Sequence, residues 1–421
     1  MLNKNQNIKK NKEIVFKIPE FPHLSETFII AQIVTALNLG YKIKIVTRKV
    51  IENTSLISPL IFEYNLLDNI IIEDYKIPRN KVLRLFKWVF ILIQNINHLK
   101  SIVSFHREFS KLSLSWLYQW RFYFQFNDAS IIHIQYGTNA YPFRIIKNKT
   151  IFKPIVIVTF HGHDAFFPLY GRIPNDGYYK RLFDQNYLIT ANTPYLAQKL
   201  IELGCPDEIL RVVPVGVDTD FFHPRNVKKE FNKTLKLITV GRLDKFKGQL
   251  YCIKAVNLLI SNGIDVTLTI IGEGEERKNL QKLIVECQLQ EKVFLLGKKS
   301  QIEVRRALWN HDVYLLTGVA TTSGLRESQG LATLEAQACG LPVIAFDSGG
   351  IKYTIQDKKT GFICSEFDVQ EVAQKIELFY SERNLIKEMG KNAVIFVNNN
   401  FSQKKIDKIW KIIYDKMIKN E

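Results

Sequence analysis

The 421-residue chain holds only five cysteines, Cys205, Cys252, Cys287, Cys339 and Cys364, and no two are spaced as C-x-x-C or sit beside a companion histidine. That argues against a disulfide framework and a cysteine-based zinc site, and an odd, scattered set fits a reducing compartment. Long apolar runs are missing too. The longest candidate for membrane insertion, Trp88 to Ile93, falls far short of the ~20 residues a spanning helix needs. Met1 to Lys12 is polar and basic and leads into no apolar stretch of signal-peptide length. A cytoplasmic protein, soluble or peripheral to the membrane, is therefore expected. Acidic residues are scarce: 41 Asp+Glu face 58 Lys+Arg, a formal net charge of +17. The shortage is uneven, since residues 1–200 carry 26 basic and 13 acidic side chains while residues 201–421 carry 32 and 28. An excess of this kind favours an anionic partner, whether nucleic acid, anionic membrane or phosphorylated ligand, and says nothing of fold.

What is present is a globular composition, 46% hydrophobic, long enough for two domains at ~100–200 residues each. Ile14–Ile18 reads as a strand ended by Pro19 and Pro22. Ser25-Glu26-Thr27 then precede the helix-spaced stripe Phe28, Ile29, Ile33, Leu37 and Leu39, stopped by Gly40, with a second strand at Tyr41–Thr47. Strand, helix, strand is a βαβ unit, so a parallel sheet follows. Apolar runs recur at Ile131–Ile134, Ile155–Phe160, Tyr187–Thr190 and Arg211–Pro214. Beyond a polar, Lys-rich connection, strands are expected at Lys236–Val240, Val266–Ile271, Val293–Leu296, Val313–Thr317 and Pro342–Ala345. Helices alternate with them at Gln249–Ser261, Glu276–Cys287 and Leu331–Cys339. The expected fold is α/β, two doubly wound Rossmann-like domains facing each other across a cleft. Their boundaries are set at 1–214 and 235–400, with a linker at 215–234 and a final basic amphipathic helix in 401–421 that receives no site residue. In such sheets ligands bind beyond the carboxyl ends of the strands.

Residues 80–126 stand apart. Lys81, Arg84, Lys87, Lys100, Arg107, Lys111 and Arg121 oppose a single acid, Glu108, and are interleaved with Leu83, Leu85, Phe86, Trp88, Phe90, Trp116, Tyr118, Trp120, Phe122 and Phe124. Basic residues mixed with Trp, Phe and Leu at helical spacing suit a helix lying on an anionic membrane. The same pattern also fits amphipathic helices that cover the first sheet with solvated charges. No nucleic-acid-binding motif accompanies it, so nucleic acid is not expected as a partner.

Three clusters carry chemistry. Gly241-Arg242-Leu243-Asp244-Lys245-Phe246-Lys247-Gly248 follows a strand and frames two cations with glycines. Such cations can converge on a diphosphate, Arg as a planar fork and Lys as a point charge. Alone, the cluster also reads as a solvated basic loop. Arg326-Glu327-Ser328-Gln329-Gly330-Leu331 through Glu335 places two glutamates eight residues apart around a glycine at a helix start. Carboxylates accept from sugar and ribose hydroxyls, and Gly330 lets backbone approach a ligand, yet a plain capping box has the same look. Thr159-Phe160-His161-Gly162-His163-Asp164 ends an apolar strand, where a histidine can donate, accept or shuttle a proton. A structural histidine is equally compatible. His161 and His163 lack the further ligands of a metal site, and no metal is assigned. Gly272-Glu273-Gly274-Glu275 resembles a phosphate-side turn.

Taken together, the phrases FHGHD, VPVGVD, VGRLDKFKG, IIGEGEE, RESQGLATLEAQACGLPVIA and TGFIC, in that order, resemble the retaining nucleotide-sugar glycosyltransferases of family 4, which have the GT-B fold. The opening is most like the exopolysaccharide, colanic-acid type branch. The resemblance implies that Arg242 and Lys247 neutralise the donor's leaving diphosphate, that Glu327 contacts the donor sugar, and that Glu335 holds the ribose. It also implies a donor-side backbone turn at Ser328, Gly330, Leu331 and Gly274, and a histidine, His161, facing the transferred sugar. Ser25, Glu26, Thr27 and Asp164 fall on the acceptor side. The implied partners are a nucleotide-diphosphate sugar, a saccharide acceptor linked to a lipid pyrophosphate, and an anionic membrane surface at the inner face of the cytoplasmic membrane, with no metal or cofactor required. Two departures stand out: Phe21-Pro22-His23-Leu24-Ser25-Glu26-Thr27 replaces the family's Gly-Gly loop, and Ser328-Gln329-Gly330 replaces its Gly-Phe-Gly. A nucleotide-sugar epimerase or phosphorylase of the same fold, or a non-catalytic membrane-binding protein, are the alternatives.

Overall fold

The computed structural model describes residues 12–23, 26–51, 58–109, 113–146, 151–166, 177–225, 233–322 and 324–419. Two parallel sheets organise them. The first is built from β1 (Glu13–Phe21), β2 (Lys42–Val50), β3 (Ile70–Ile72), β4 (Ile131–Gln135), β5 (Ile155–Phe160), β6 (Leu188–Ala191) and β7 (Leu210–Val212), in the order β3-β2-β1-β4-β5-β6-β7. The second is built from β8 (Leu235–Val240), β9 (Val266–Ile271), β10 (Val293–Leu295), β11 (Val313–Leu316), β12 (Val343–Phe346) and β13 (Gly361–Cys364), in the order β10-β9-β8-β11-β12-β13. Every strand pair is parallel, as crossover helices on both faces require. Continuous Ile/Val/Leu runs form the strands because both faces are covered. β5, IVIVTF, is buried at every position.

One expectation needs correction. Pro19 does not end the first strand, which continues to Phe21. β1 pairs with β4 only over Ile14–Lys17, so at Pro19 no neighbour on that side asks for the missing N–H. The helix after β1, Thr27–Asn38, has Glu26 at its N-cap with no side-chain cap bond. The Glu26 carboxylate is held elsewhere, and Ser25 lies outside the described residues.

The segment 80–126 forms three helices, Lys81–Gln94, Leu99–Phe109 and Ser115–Phe124. They split the interleaved apolar and aromatic residues: Trp116, Tyr118, Trp120 and Tyr123 are buried in the core over the first sheet, whereas Leu83, Leu85, Phe86 and Phe90 are exposed. No helix among the described residues is long and apolar enough to cross a membrane. The last helix, Gln403–Lys419, follows the second sheet in the chain but packs on the first. Its Trp410 ring lies 5.0 Å from His133 of β4, and its Tyr414 hydroxyl is 3.1 Å from His133 Nδ1. Ile406, Trp410 and Tyr414 join Ile29, Ile33 and Tyr41 in one apolar cluster.

Candidate active site

In each sheet the strand order reverses once, between β1 and β4 and between β8 and β11. The residues singled out above sit at or beside those reversals, where a doubly wound sheet leaves a crevice. Glu26 follows β1, Tyr136 follows β4 and His161 follows β5. Arg242 and Lys247 follow β8, and Glu327 lies beyond β11.

The loop after β8 is shaped by glycine. Gly248 has φ +67°, and a Cβ there would meet Thr317 O at 1.8 Å, so only glycine lets this turn lie against the end of β11. That approach brings Lys247 onto Glu327, eighty residues on, in an ion pair between Nζ and Oε2. Both cations lie near the Phe246 ring, whose centroid is 5.8 Å from the Arg242 guanidinium and 5.2 Å from Lys247 Nζ. Arg242 is exposed and has no ion-pair partner among the described residues. Gly274, expected to bind donor, acts one layer below. A Cβ on it would lie 2.2 Å from Leu243 O, so its bareness lets the loop after β9 pack directly under the Arg242 turn.

Gly330, φ +81°, opens the helix Leu331–Ala338, with Leu331 half-buried at its first position. Its first N–H groups have no partner within the helix, as at any helix start. Glu335 lies further along the same helix, half-buried, and no side-chain hydrogen bond reaches its carboxylate among the described residues. Burial raises its pKa to about 7.

Across the cleft, His161 is held by a chain of amides. Its Nε2 is 2.7 Å from Gln135 Oε1, and Gln135 Nε2 donates to Gln32 Oε1 at 2.9 Å. This order of donors puts the imidazole proton on Nε2. Nδ1 is buried with no hydrogen-bond partner among the described residues, leaving a lone pair to accept. Burial lowers the His161 pKa to about 3, so the ring is neutral. Phe28 and Tyr136 flank it, with ring centroids 4.7 and 4.8 Å away. Tyr136 has φ +72°, a conformation that is strained for an aromatic residue and concentrates at functional sites. Its hydroxyl donates to Glu26 Oε1 at 2.7 Å. Burial, opposed by that hydrogen bond, raises the Glu26 pKa. Burial and Glu26 push the Tyr136 phenol well above its ordinary value, while the charge of Arg242 on the opposite side pulls it down.

Two sequence models match this architecture. Residues 77–221 match glycosyltransferase family 4 and residues 221–395 match glycosyl transferases group 1, together about three quarters of the chain. The protein is a family 4 glycosyltransferase. It is a nucleotide-sugar enzyme of a retaining family with the two-sheet GT-B fold. Among its relatives, an amylovoran biosynthesis glycosyltransferase, AmsK of Erwinia amylovora, is 28% identical over 86% of this chain and 89% of its own length. A colanic acid biosynthesis glycosyltransferase, WcaL of Escherichia coli K12, named as putative, is 32% identical over 55% of this chain and 57% of its own. The crystal structure of HepE from Anabaena in complex with UDP-glucose superposes with a TM-score of 0.70 at 16% identity, covering 96% of this chain and 99% of that one. That likeness shows the fold.

Within this glycosyltransferase several expected site residues have different duties. Asp164, placed on the acceptor side, is buried, and its carboxylate accepts from the N–H groups of Gly137, His161 and Gly162. It holds the His161 turn from behind. Burial raises its pKa to about 6 against those bonds. Ser328, placed with the donor, donates its hydroxyl to Asn192 Oδ1 at 2.6 Å, and its carbonyl accepts from Thr193 Oγ1 at 2.9 Å. Gln329 pairs both amide atoms with the backbone of Val215, at 2.9 Å each. The pair Ser328-Gln329, where the family has Gly-Phe, therefore fastens the Glu327 turn to the chain that follows β6 and β7. Thr27 is the first residue of its helix and half-buried. Gln32, Gln135, Tyr136 and Asn192 escaped sequence reasoning, as did Gln403, Ile406 and Trp410, which line the cavity beside His161. The signal for Gln135 and Tyr136 was present in Ile134-Gln135-Tyr136-Gly137: polar, aromatic and glycine residues closing an apolar strand.

Proposed function

We propose that this glycosyltransferase moves a sugar from a nucleotide-diphosphate donor to a saccharide acceptor carried on a lipid diphosphate, with retention of configuration. The setting is the assembly of a bacterial exopolysaccharide at the inner face of the cytoplasmic membrane, where the enzyme is peripheral. The observation that carries this reading is the meeting of Lys247 and Glu327 beside Arg242, opposite the neutral His161. The amylovoran and colanic acid relatives supply the class of product.

In this reading Arg242 and Lys247 take the diphosphate. Negative charge grows there as the glycosidic bond breaks, and fixed cations stabilise it where it forms. Drawing Lys247 toward phosphate releases the Glu327 carboxylate to accept from a donor sugar hydroxyl. Glu335 accepts from the ribose, and the start of the helix at Gly330 and Leu331 offers N–H groups to phosphate. The His161 Nδ1 lone pair accepts from a hydroxyl of the transferred sugar. The leaving phosphate, on the same face as the incoming hydroxyl, takes that hydroxyl's proton, so no carboxylate nucleophile is required. Glu26 and Thr27 form the acceptor side.

The test supplies the purified enzyme with a panel of nucleotide sugars and a saccharide on a lipid diphosphate, and reads product anomer by NMR. Transfer with retention is expected. Inversion, release of sugar 1-phosphate, or epimerised donor without transfer defeats the reading.

A further inference from the structure

The helix Lys81–Gln94 is turned inside out. Only Ile91 is buried, while Arg84, Trp88 and Leu92 are half-buried on the same side. At 3.6 residues per turn, Leu85, Val89, Val82, Ile93, Phe86, Phe90 and Leu83 fall in that angular order on an arc of roughly 160° that contains no polar residue. All seven are exposed: Phe86 70%, Ile93 64%, Val82 63% and Phe90 56% among them. Ile96 (60%), Leu99 (43%) and Val103 (44%) are exposed just beyond the helix end. Soluble proteins place the apolar stripe of a surface helix inward, and a contiguous outward one marks a contact.

The helix is held in this orientation. Asn80 caps it through the N–H groups of Val82 and Leu83 at 2.9 and 3.1 Å, and Tyr118 Oη donates to the carbonyl of Arg84 at 2.6 Å. Trp88 packs edge-on against Trp116 with centroids 5.9 Å apart. The surrounding charge selects the occupant. Lys81 and Lys87 border the two margins of the apolar arc, both exposed, and no acidic residue occurs between Asp74 and Glu108. A second copy of the chain would set lysine against lysine with no acid to pair. An anionic bilayer supplies the opposite charge and an apolar interior together.

We infer that the outward face of Lys81–Gln94, continued by Ile96, Leu99 and Val103, inserts at the headgroup–acyl boundary of an anionic bilayer, with Lys81 and Lys87 on the lipid phosphates. This deepens the membrane part of the function proposed above and rests on it. It narrows the contact from the whole of 80–126 to one helix, and makes it an insertion rather than adsorption by charge alone.

The test uses the full chain and sedimentation with phosphatidylcholine vesicles, with and without phosphatidylglycerol. Phe86→Ser with Phe90→Ser changes only exposed side chains. It is expected to lower partitioning about tenfold or more on phosphatidylglycerol vesicles, an effect that persists at high salt. Lys81→Gln with Lys87→Gln is expected to lower it severalfold, and only at low salt. Donor hydrolysis in lipid-free buffer stays at the wild-type rate in both, which also reports that they fold. Unchanged partitioning of the double serine variant overturns the inference. So does a lipid-free dimer that Phe86→Ser dissolves, because the face would then be a self-interface. Vesicle binding without transfer to a lipid-linked saccharide would sink the reaction proposed above and leave this surface standing.

Discussion

The two sheets bring their chemistry to the cleft by different means. The second works through glycine and backbone: Gly248 and Gly274 each replace a side chain that would strike a carbonyl, and short loops deliver Arg242 and Lys247 from one strand end. The first works through side chains from distant places. His161 is oriented by Gln135 and Gln32, flanked by Phe28 and Tyr136, and supported from behind by Asp164. A turn built this way depends on its glycines, whereas a relay of side chains depends on every member. In the proposed function the second sheet serves the donor and the first serves the acceptor.

Three experiments press on this contrast. The largest effect is expected from Lys247→Ala, which removes a fixed cation from the point where charge develops. Turnover should fall by about 10²–10³, with circular dichroism and thermal unfolding unchanged, and near-normal transfer by the purified variant would refute the diphosphate assignment. Next is Trp410→Ala. This residue follows the second sheet in sequence yet fills the first, so about 3 kcal/mol of stability should be lost from the first sheet. Hydrogen exchange should quicken at Ile131–Gln135 while nucleotide-diphosphate binding, read by calorimetry, persists. Equal loosening of β8 and β11 would show the two sheets to be one cooperative unit.

The smallest effect is a change of shape rather than size. With its pKa lowered to about 3 by burial, His161 stays neutral across pH 5–8, and wild-type transfer should show no histidine limb there. Gln135→Glu sets a carboxylate against the Nε2 proton. The His161 pKa should then rise, so the imidazolium form is populated as pH falls and an acid limb enters the pH–rate profile. His133, Tyr136, Asp164 and, through Tyr136, Glu26 also surround the ring. The nitrogen-15 shifts of His161 therefore check that this group titrates and that Nε2 carries the proton in the wild type.

Much of the second sheet was legible in the sequence because its signals are local. Val266–Ile271 and Gln249–Ser261 coincide residue for residue with an apolar run and a helix-spaced stripe bounded by polar residues. Pro19 misled for the reason that made it readable. Proline breaks a paired strand, but nothing in a linear sequence tells that β4 stops pairing two residues earlier. Arg242, Lys247 and Glu327 were singled out by type and spacing. Their mutual contact was not, since it depends on β8 and β11 being neighbours. Asp164 and Ser328 were misplaced because a carboxylate or hydroxyl near a site looks the same whether it faces the ligand or the backbone behind it. The split of the aromatics in 80–126 was hidden for a related reason: helical spacing defines a stripe but not which way it points.

The helix that completes the wall beside His161 is made after the whole of the second sheet. During synthesis the first sheet must wait, its His133 face uncovered, until hundreds of later residues have been added. A nascent chain that ends between Glu335 and Gln403 would hold Arg242, Lys247, Glu327 and Glu335 and still lack Gln403, Ile406 and Trp410 beside His161. Translation order thus fixes the order of assembly: the wall beside His161 is the last part of the first sheet's surroundings to be completed.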